Sequence, residues 1–168
     1  YIAGEADTLI CAGMGGGLMQ RILAKEREKT DSFCELVLQP QSELPQFRRF
    51  LRQNGYLIQD EEILLEDGKF YQVIRAVTGR GSDPQSGCED VSGRTDEELC
   101  KLEDRYGPVL LRKRTPVFLS FLEREEVICE EILTKLRSQG LADDKRRERY
   151  EEVETQLQDC RRAQKLYC

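Results

Sequence analysis

The chain has 168 residues, 35% of them charged and 39% apolar, with a net charge of −6 and no histidine. That size supports one ordinary domain, or a small domain with an appendage, and the acidity excludes a wholesale polycation without excluding local basic surfaces. No apolar run approaches the roughly 18–20 residues of a bilayer span and no charged-apolar-small leader opens the chain, so a cytoplasmic protein with no membrane partner is expected.

Without histidine the commonest general base is missing, and so is every Ser-His or Cys-His arrangement. Seven cysteines stand at 11, 34, 88, 100, 129, 160 and 168, with no C-x-x-C pair. No metal site is expected from that spacing, and reduced thiols, mostly buried, are the simpler reading.

Residues 8–12, TLICA, form a short apolar run suited to a strand buried on both faces. Gly13, Gly15, Gly16 and Gly17 follow around Met14, and then Leu18, Met19, Ile22 and Leu23 repeat at helical spacing. A plain strand-to-helix turn needs one or two glycines; four in five positions point to something that approaches the backbone closely. Neither the phosphate-loop pattern nor the dinucleotide G-x-G-x-x-G spacing is present. A second buried strand is predicted at Leu36, Val37 and Leu38, stopped by Pro40. Leu44, Phe47 and Leu51 define the next helix face, ended by Asn54-Gly55. Residues 56–78 read as two strands joined by an Asp67-Gly68 hairpin turn.

The order β-α-β-α-β-β gives an α/β fold in which two parallel βα units are closed by a hairpin, the second half of a doubly wound sheet. With no partner half upstream of Tyr1, the chain is expected to be the C-terminal portion of a longer protein. The expected division is residues 1–78 for the sheet domain, 79–94 for a Gly-, Ser- and Pro-rich linker, and 95–168 for a helical domain. In the last part YGPVLLRKRTP (106–116) interrupts the helical pattern. Phe118, Leu122, Cys129, Leu133 and Leu136 then share one stripe, and Tyr150, Val153, Leu157, Cys160 and Tyr167 share another. The break at 138–144 between them predicts an antiparallel coiled-coil hairpin.

In an open parallel sheet, ligands bind beyond the carboxyl ends of the strands. Ala12 to Gly16 and Gln39 to Gln41 therefore open onto one crevice. AGMGGGLMQRIL (12–23), ELVLQPQ (35–41), FRRFLRQNGY (47–56), EEILLEDGKFYQV (61–73) and YGPVLLRKRTPVFLSFLERE (106–125) together resemble the bacterial tRNA (adenine(22)-N1)-methyltransferases of the TrmK family. The resemblance runs through nearly the whole chain in order. One departure is local: the family usually has Gln-Pro-Asn where this chain has Gln39, Pro40 and Gln41, one methylene longer at the last position.

The resemblance implies a Rossmann-like S-adenosyl-L-methionine methyltransferase sheet followed by a helical coiled-coil domain, acting on tRNA. It implies that most of the cofactor-binding half lies before Tyr1, so that this portion is inactive alone. It places Ala12, Gly13 and Met14 at the reacting base, and Gly13, Met14, Gly15 and Gly16 beside the cofactor. Gln39, Pro40 and Gln41 would line the base pocket, while Arg112, Lys113, Lys145, Arg146 and Arg147 would hold tRNA phosphates. A monomer is expected. The competing reading is a helical protein-interaction module attached to a vestigial nucleotide-binding half-domain; a coiled-coil seam serves either.

Overall fold

The computed structural model describes residues 5–78, 97–140 and 143–166; the predicted linker and Tyr167 lie outside them. Two compact units divide at Lys113 and Arg114, so residues 97–113 belong with the sheet rather than with the helices that follow, unlike the expected division at 95.

The first unit is built on β1 (Thr8–Met14), α1 (Gly16–Lys25), α2 (Arg27–Thr30), β2 (Glu35–Pro40), α3 (Leu44–Gln53), β3 (Tyr56–Glu66) and β4 (Lys69–Thr78). The sheet order is β1-β2-β4-β3. β1 and β2 are parallel, while β4 runs antiparallel to both β2 and β3. The βα crossover and terminal hairpin read from the apolar pattern are both present. Asp67 and Gly68 take φ of 47° and 73° at the hairpin turn, the left-handed pair that matches strand twist. Pro45 falls in the first turn of α3, where its missing N–H costs nothing.

The core lies between this sheet and α1 and α3. Met19 and Leu23 of α1, Leu36 and Leu38 of β2, Phe47 and Leu51 of α3, and Ile74 of β4 are fully buried in one cluster. Each such side chain contributes about 1.5–3 kcal/mol of transfer free energy. β1 forms one edge of the sheet, and its Ile10 is 69% exposed.

Two short helices complete the unit: α4 (Glu97–Tyr106) and α5 (Pro108–Lys113), the latter lying within the stretch that reads as a plain interruption. Both are tied to the sheet through one buried ion pair. Arg48 of α3 donates from Nε to Glu61 Oε1 of β3 at 2.8 Å and from Nη2 to Gln72 Oε1 of β4 at 2.6 Å. Its Nη1 caps the α4 C-terminus, donating to the carbonyls of Asp104 (3.3 Å) and Arg105 (3.1 Å). Glu61 Oε2 accepts from the Val109 N–H at 2.9 Å, at the start of α5. A cation at one helix C-terminus and an anion at the next N-terminus satisfy groups that helix ends leave unpaired. Gly107 turns between the two helices at φ 92°; a Cβ there would meet Glu61 Oε2 at 2.5 Å.

The second unit pairs α6 (Pro116–Ser138) with α7 (Asp144–Lys165). Thr115 caps α6 by accepting from the Phe118 N–H. Cys129 and Leu133 of α6 pack with Val153 and Leu157 of α7. The helices run antiparallel: Arg161 bonds Glu126 and Glu130, and Arg137 bonds Tyr150. Gln139 is the C-cap of α6, and Gly140 follows it at φ 78°. Among the described residues, no helix is long and apolar enough to cross a membrane. Cys11 and Cys34 are free thiols, whereas Cys100 is disulfide-bonded, against the expectation of reduced thiols.

Arg48→Ala strands Glu61 as a buried, uncompensated carboxylate and is expected to lower unfolding free energy by about 3–5 kcal/mol. Urea denaturation checks this, and a loss below about 1 kcal/mol would contradict the role given to the pair.

Candidate functional site

The site expected from the sequence sits where the tips of β1 and β2 meet. Ala12 pairs with Gln39 in parallel register, and Gly13 then bulges out before Met14 pairs with Pro40. The bulge takes the Gly13 N–H out of the strand ladder, and Gln39 Oε1 accepts from it at 2.9 Å. Gly13 has φ 76°, and a Cβ placed there would find nothing within 4 Å. Beyond this bond three more lock the two tips together. Gln41 N–H donates to Met14 O at 3.0 Å, Gly16 N–H to Ser42 O at 3.1 Å, and Gly17 N–H to Glu43 Oε2 at 2.9 Å.

The glycines therefore divide into two kinds. At Gly15 a Cβ would lie 2.9 Å from Ser42 Oγ, at Gly16 2.6 Å from Ser42 O, and at Gly17 2.8 Å from Glu43 Oε2. Those three admit the chain's own 42–43 segment, which corrects the expectation that Gly15 and Gly16 leave room for a ligand. Gly13 alone of the four faces open space. Ala12 and Gly13 are exposed; Met14 is half-buried and packs against the sheet core.

Gln39 is half-buried, Pro40 buried and Gln41 exposed. Glu43, which the sequence reading left out, adopts φ 56° just before α3 and places its carboxylate on the N-terminal turn of α1. A non-glycine residue held in the left-handed region is strained by about 1–2 kcal/mol, so the carboxylate–helix contact offsets a cost. No glycine marked the turn, which is why it was not legible. Next to the tip, burial pushes the Cys11 thiol up, keeping it protonated near neutral pH and unsuited as a nucleophile.

The basic residues fare unequally. Lys113 is held by Asp60 Oδ1 at 2.7 Å, by the Glu61 carbonyl at 3.0 Å and by the Glu62 carboxylate. Its bond to Asp60 raises the ammonium pKa and lowers the carboxyl, so the exposed Lys113 already has partners within its own unit. Arg112 is exposed. In the second unit Lys145, Arg146 and Arg147 are exposed on the first turns of α7, where Asp143 faces Arg146 and Asp144 pairs Arg147. Among the described residues, no group of three metal-ligating side chains occurs.

The mixed sheet with its covering helices has the α/β fold of Rossmann-like methyltransferases, to which solved structures of that class are similar. A family model for tRNA (adenine(22)-N(1))-methyltransferase, TrmK, matches residues 2–161, and the chain belongs to that family. The tRNA (adenine(22)-N(1))-methyltransferase of Bacillus subtilis (strain 168) is 34% identical over 116 residues, 69% of this chain and 44% of the relative. The solved B. subtilis M1A22 tRNA methyltransferase TrmK superposes with a TM-score of 0.75 at 27% identity, covering 98% of this chain and 65% of its own. Sp1610 of Streptococcus pneumoniae, solved in complex with S-adenosyl-L-methionine, shares the fold with a TM-score of 0.72 at 24% identity, over 98% of this chain and 63% of its own. The chain thus spans less than half the length of the curated relative and under two thirds of the solved ones.

The two kinds of glycine respond differently to a methyl group. Gly16→Ala meets backbone that cannot yield and is expected to cost about 1–3 kcal/mol, with loss of the tip lock. Gly13→Ala meets only conformational strain of about 1–2 kcal/mol and keeps the lock. Urea denaturation with amide hydrogen exchange at Gly17 separates them; faster exchange in Gly13→Ala than in Gly16→Ala would contradict this division.

Proposed function

We propose that these residues form part of an enzyme that transfers a methyl group from S-adenosyl-L-methionine to N1 of an adenine in tRNA, at position 22. The observation that carries this reading is the bond from Gly13 N–H to Gln39 Oε1 at 2.9 Å. It fixes a bare, exposed peptide edge at the strand tips, with open space on the side where a Cβ would stand. That space fits a flat purine beside the donor. Ala12, Gly13 and Met14 form the wall toward the base, and Gly13 and Met14 the nearest part of the cofactor side. Gly15 and Gly16 act indirectly, by admitting Ser42. When bound, S-adenosyl-L-methionine supplies an electrophilic methyl group.

What the chain's own residues do is position and read. Adenine N1 attacks with its ring lone pair, so no proton has to leave in the bond-forming step, in keeping with a chain that has no histidine. The amide of Gln39 is held by its oxygen, so its NH₂ is a donor at the slot. The Met14 carbonyl already accepts from Gln41, which leaves the adenine's exocyclic amine to the Ala12 and Gly13 carbonyls. Orientation of this kind supplies much of the acceleration in a transfer that needs no covalent help. On the second unit, proposed as a coiled-coil arm, Lys145, Arg146 and Arg147 hold tRNA phosphates, and Arg112 does so on the first.

We further propose a cytoplasmic monomer whose 168 residues are inactive by themselves, since among the described residues β1 is an edge strand and two strand tips wall the slot. Labelled methyl transfer to unmodified tRNA, followed by nucleoside digestion and mapping, tests the whole reading. With the native reading frame that contains these residues, label is expected in 1-methyladenosine at position 22. Gln39→Ala is expected to lower kcat about 10–100-fold with cofactor affinity changed less than about threefold. Label in another nucleoside would overturn the assignment, and transfer by the isolated chain would overturn the proposed inactivity.

A further inference from the structure

Arg112 is one exposed cation of the first unit, and Lys113 beside it is paired with Asp60 and Glu62; a second basic surface of that unit lies on α3. Among the described residues the groove between α3 and α4 has the right chemistry. It is a cleft of about 540 Å³ whose charged lining residues are Arg49, Arg52, Lys101, Glu97 and Asp104, with Gln53 and Cys100 beside them.

Arg49 and Arg52 are three residues apart on α3, hence on one face. Both donate to a single oxygen, Asp104 Oδ2: Arg49 from Nε at 3.1 Å and Arg52 from Nη2 at 2.7 Å. One carboxylate, 6% exposed, thus holds two guanidiniums, of which Arg49 is 52% and Arg52 32% exposed. Two like charges are kept side by side with one counter-charge, so the pair carries a surplus of one positive charge. Each guanidinium retains N–H groups that make no other hydrogen bond among the described residues. Lys101, which pairs with the exposed Glu97, lines the same cleft from the facing helix. The half-buried Glu103 lies near Arg52 but interacts more strongly with Arg112, and burial pushes its carboxyl up.

Guanidinium forks match the oxygens of a phosphodiester, and two forks preset by one buried anchor lose little freedom on binding. We propose that the α3–α4 groove is a seat for a backbone phosphate of RNA, with Arg49 and Arg52 as its donors and Asp104 as the residue that positions them. The proposal rests on the tRNA reading above and gives it a phosphate contact on the sheet unit.

The test is tRNA binding by fluorescence anisotropy as a function of salt, using the full chain. Arg49→Gln removes one exposed fork and leaves Arg52 on Asp104, so the fold persists; melting curves verify this. Its expected effect is about three- to tenfold weaker binding near 100 mM salt, with a log–log salt slope shallower by about 0.7–0.9. Arg49→Lys is expected to restore the slope but only part of the affinity, because an ammonium keeps charge without the fork. Lys69→Gln, at the exposed hairpin turn, should leave slope and affinity unchanged. An unaltered slope in Arg49→Gln, or an equal loss in Lys69→Gln, overturns the groove while the tRNA reading stands. No measurable tRNA binding by the wild-type chain overturns both.

Discussion

The hydrogen bond from Gly13 N–H to Gln39 Oε1 is the constraint on which the site rests. Parallel pairing alone would bring the β1 and β2 tips side by side, but a bulge at Gly13 would leave its N–H without a strand partner. A side-chain amide one strand away supplies that partner and, in doing so, fixes the direction of the adjoining carbonyls. Three further bonds, reaching as far as Gly17 and Glu43, convert two loops into one surface. The result is a strand tip fixed by four bonds, two between backbone groups and two from backbone N–H groups to the side chains of Gln39 and Glu43.

A second constraint supports the first from below. Arg48 and Glu61 are both essentially inaccessible to water; besides bonding each other, Arg48 donates to the end of α4 and to Gln72 of β4, and Glu61 accepts from the Val109 N–H of α5. A buried ion pair of this sort adds little net stability over an apolar pair of equal volume, but it tolerates few alternatives. Here it fixes where α4 ends and α5 begins relative to β3, and by holding α3 to the sheet it supports the helix that follows the 39–43 segment. The same arrangement brings Asp104 against Arg49 and Arg52, so the fold and the proposed phosphate groove share one helix.

Much of this was legible in the sequence because apolar periodicity reports burial directly. Leu36, Leu38, Phe47 and Leu51 are core residues where alternation and helical spacing place them, and Asn54-Gly55 and Asp67-Gly68 turn where their tolerance of positive φ allows. The crevice at the two strand tips follows from parallel topology alone. What could not be read were relations between distant residues. Nothing local in the sequence says that Ser42 fills the space opposite Gly15 and Gly16, or that Glu43 caps α1 from a left-handed backbone. Charge clusters were the least informative feature: Lys113 and Arg112 are neighbours in sequence and both exposed, yet Lys113 bonds Asp60 and Glu62 while Arg112 lies near Glu103. The short helix α5 was hidden because Pro108, its own first residue, reads as a break, and the Glu61 carboxylate that accepts from the Val109 N–H is distant in sequence.

The most direct measurement is the backbone and side-chain amide NMR spectrum of the isotope-labelled chain titrated with adenosine. If the strand tips form a slot for the purine, the Gly13 and Met14 amides and the Gln39 side-chain amide shift together with a common saturation curve, and uridine leaves them in place. Shifts confined to other residues, or equal responses to uridine, would contradict the account.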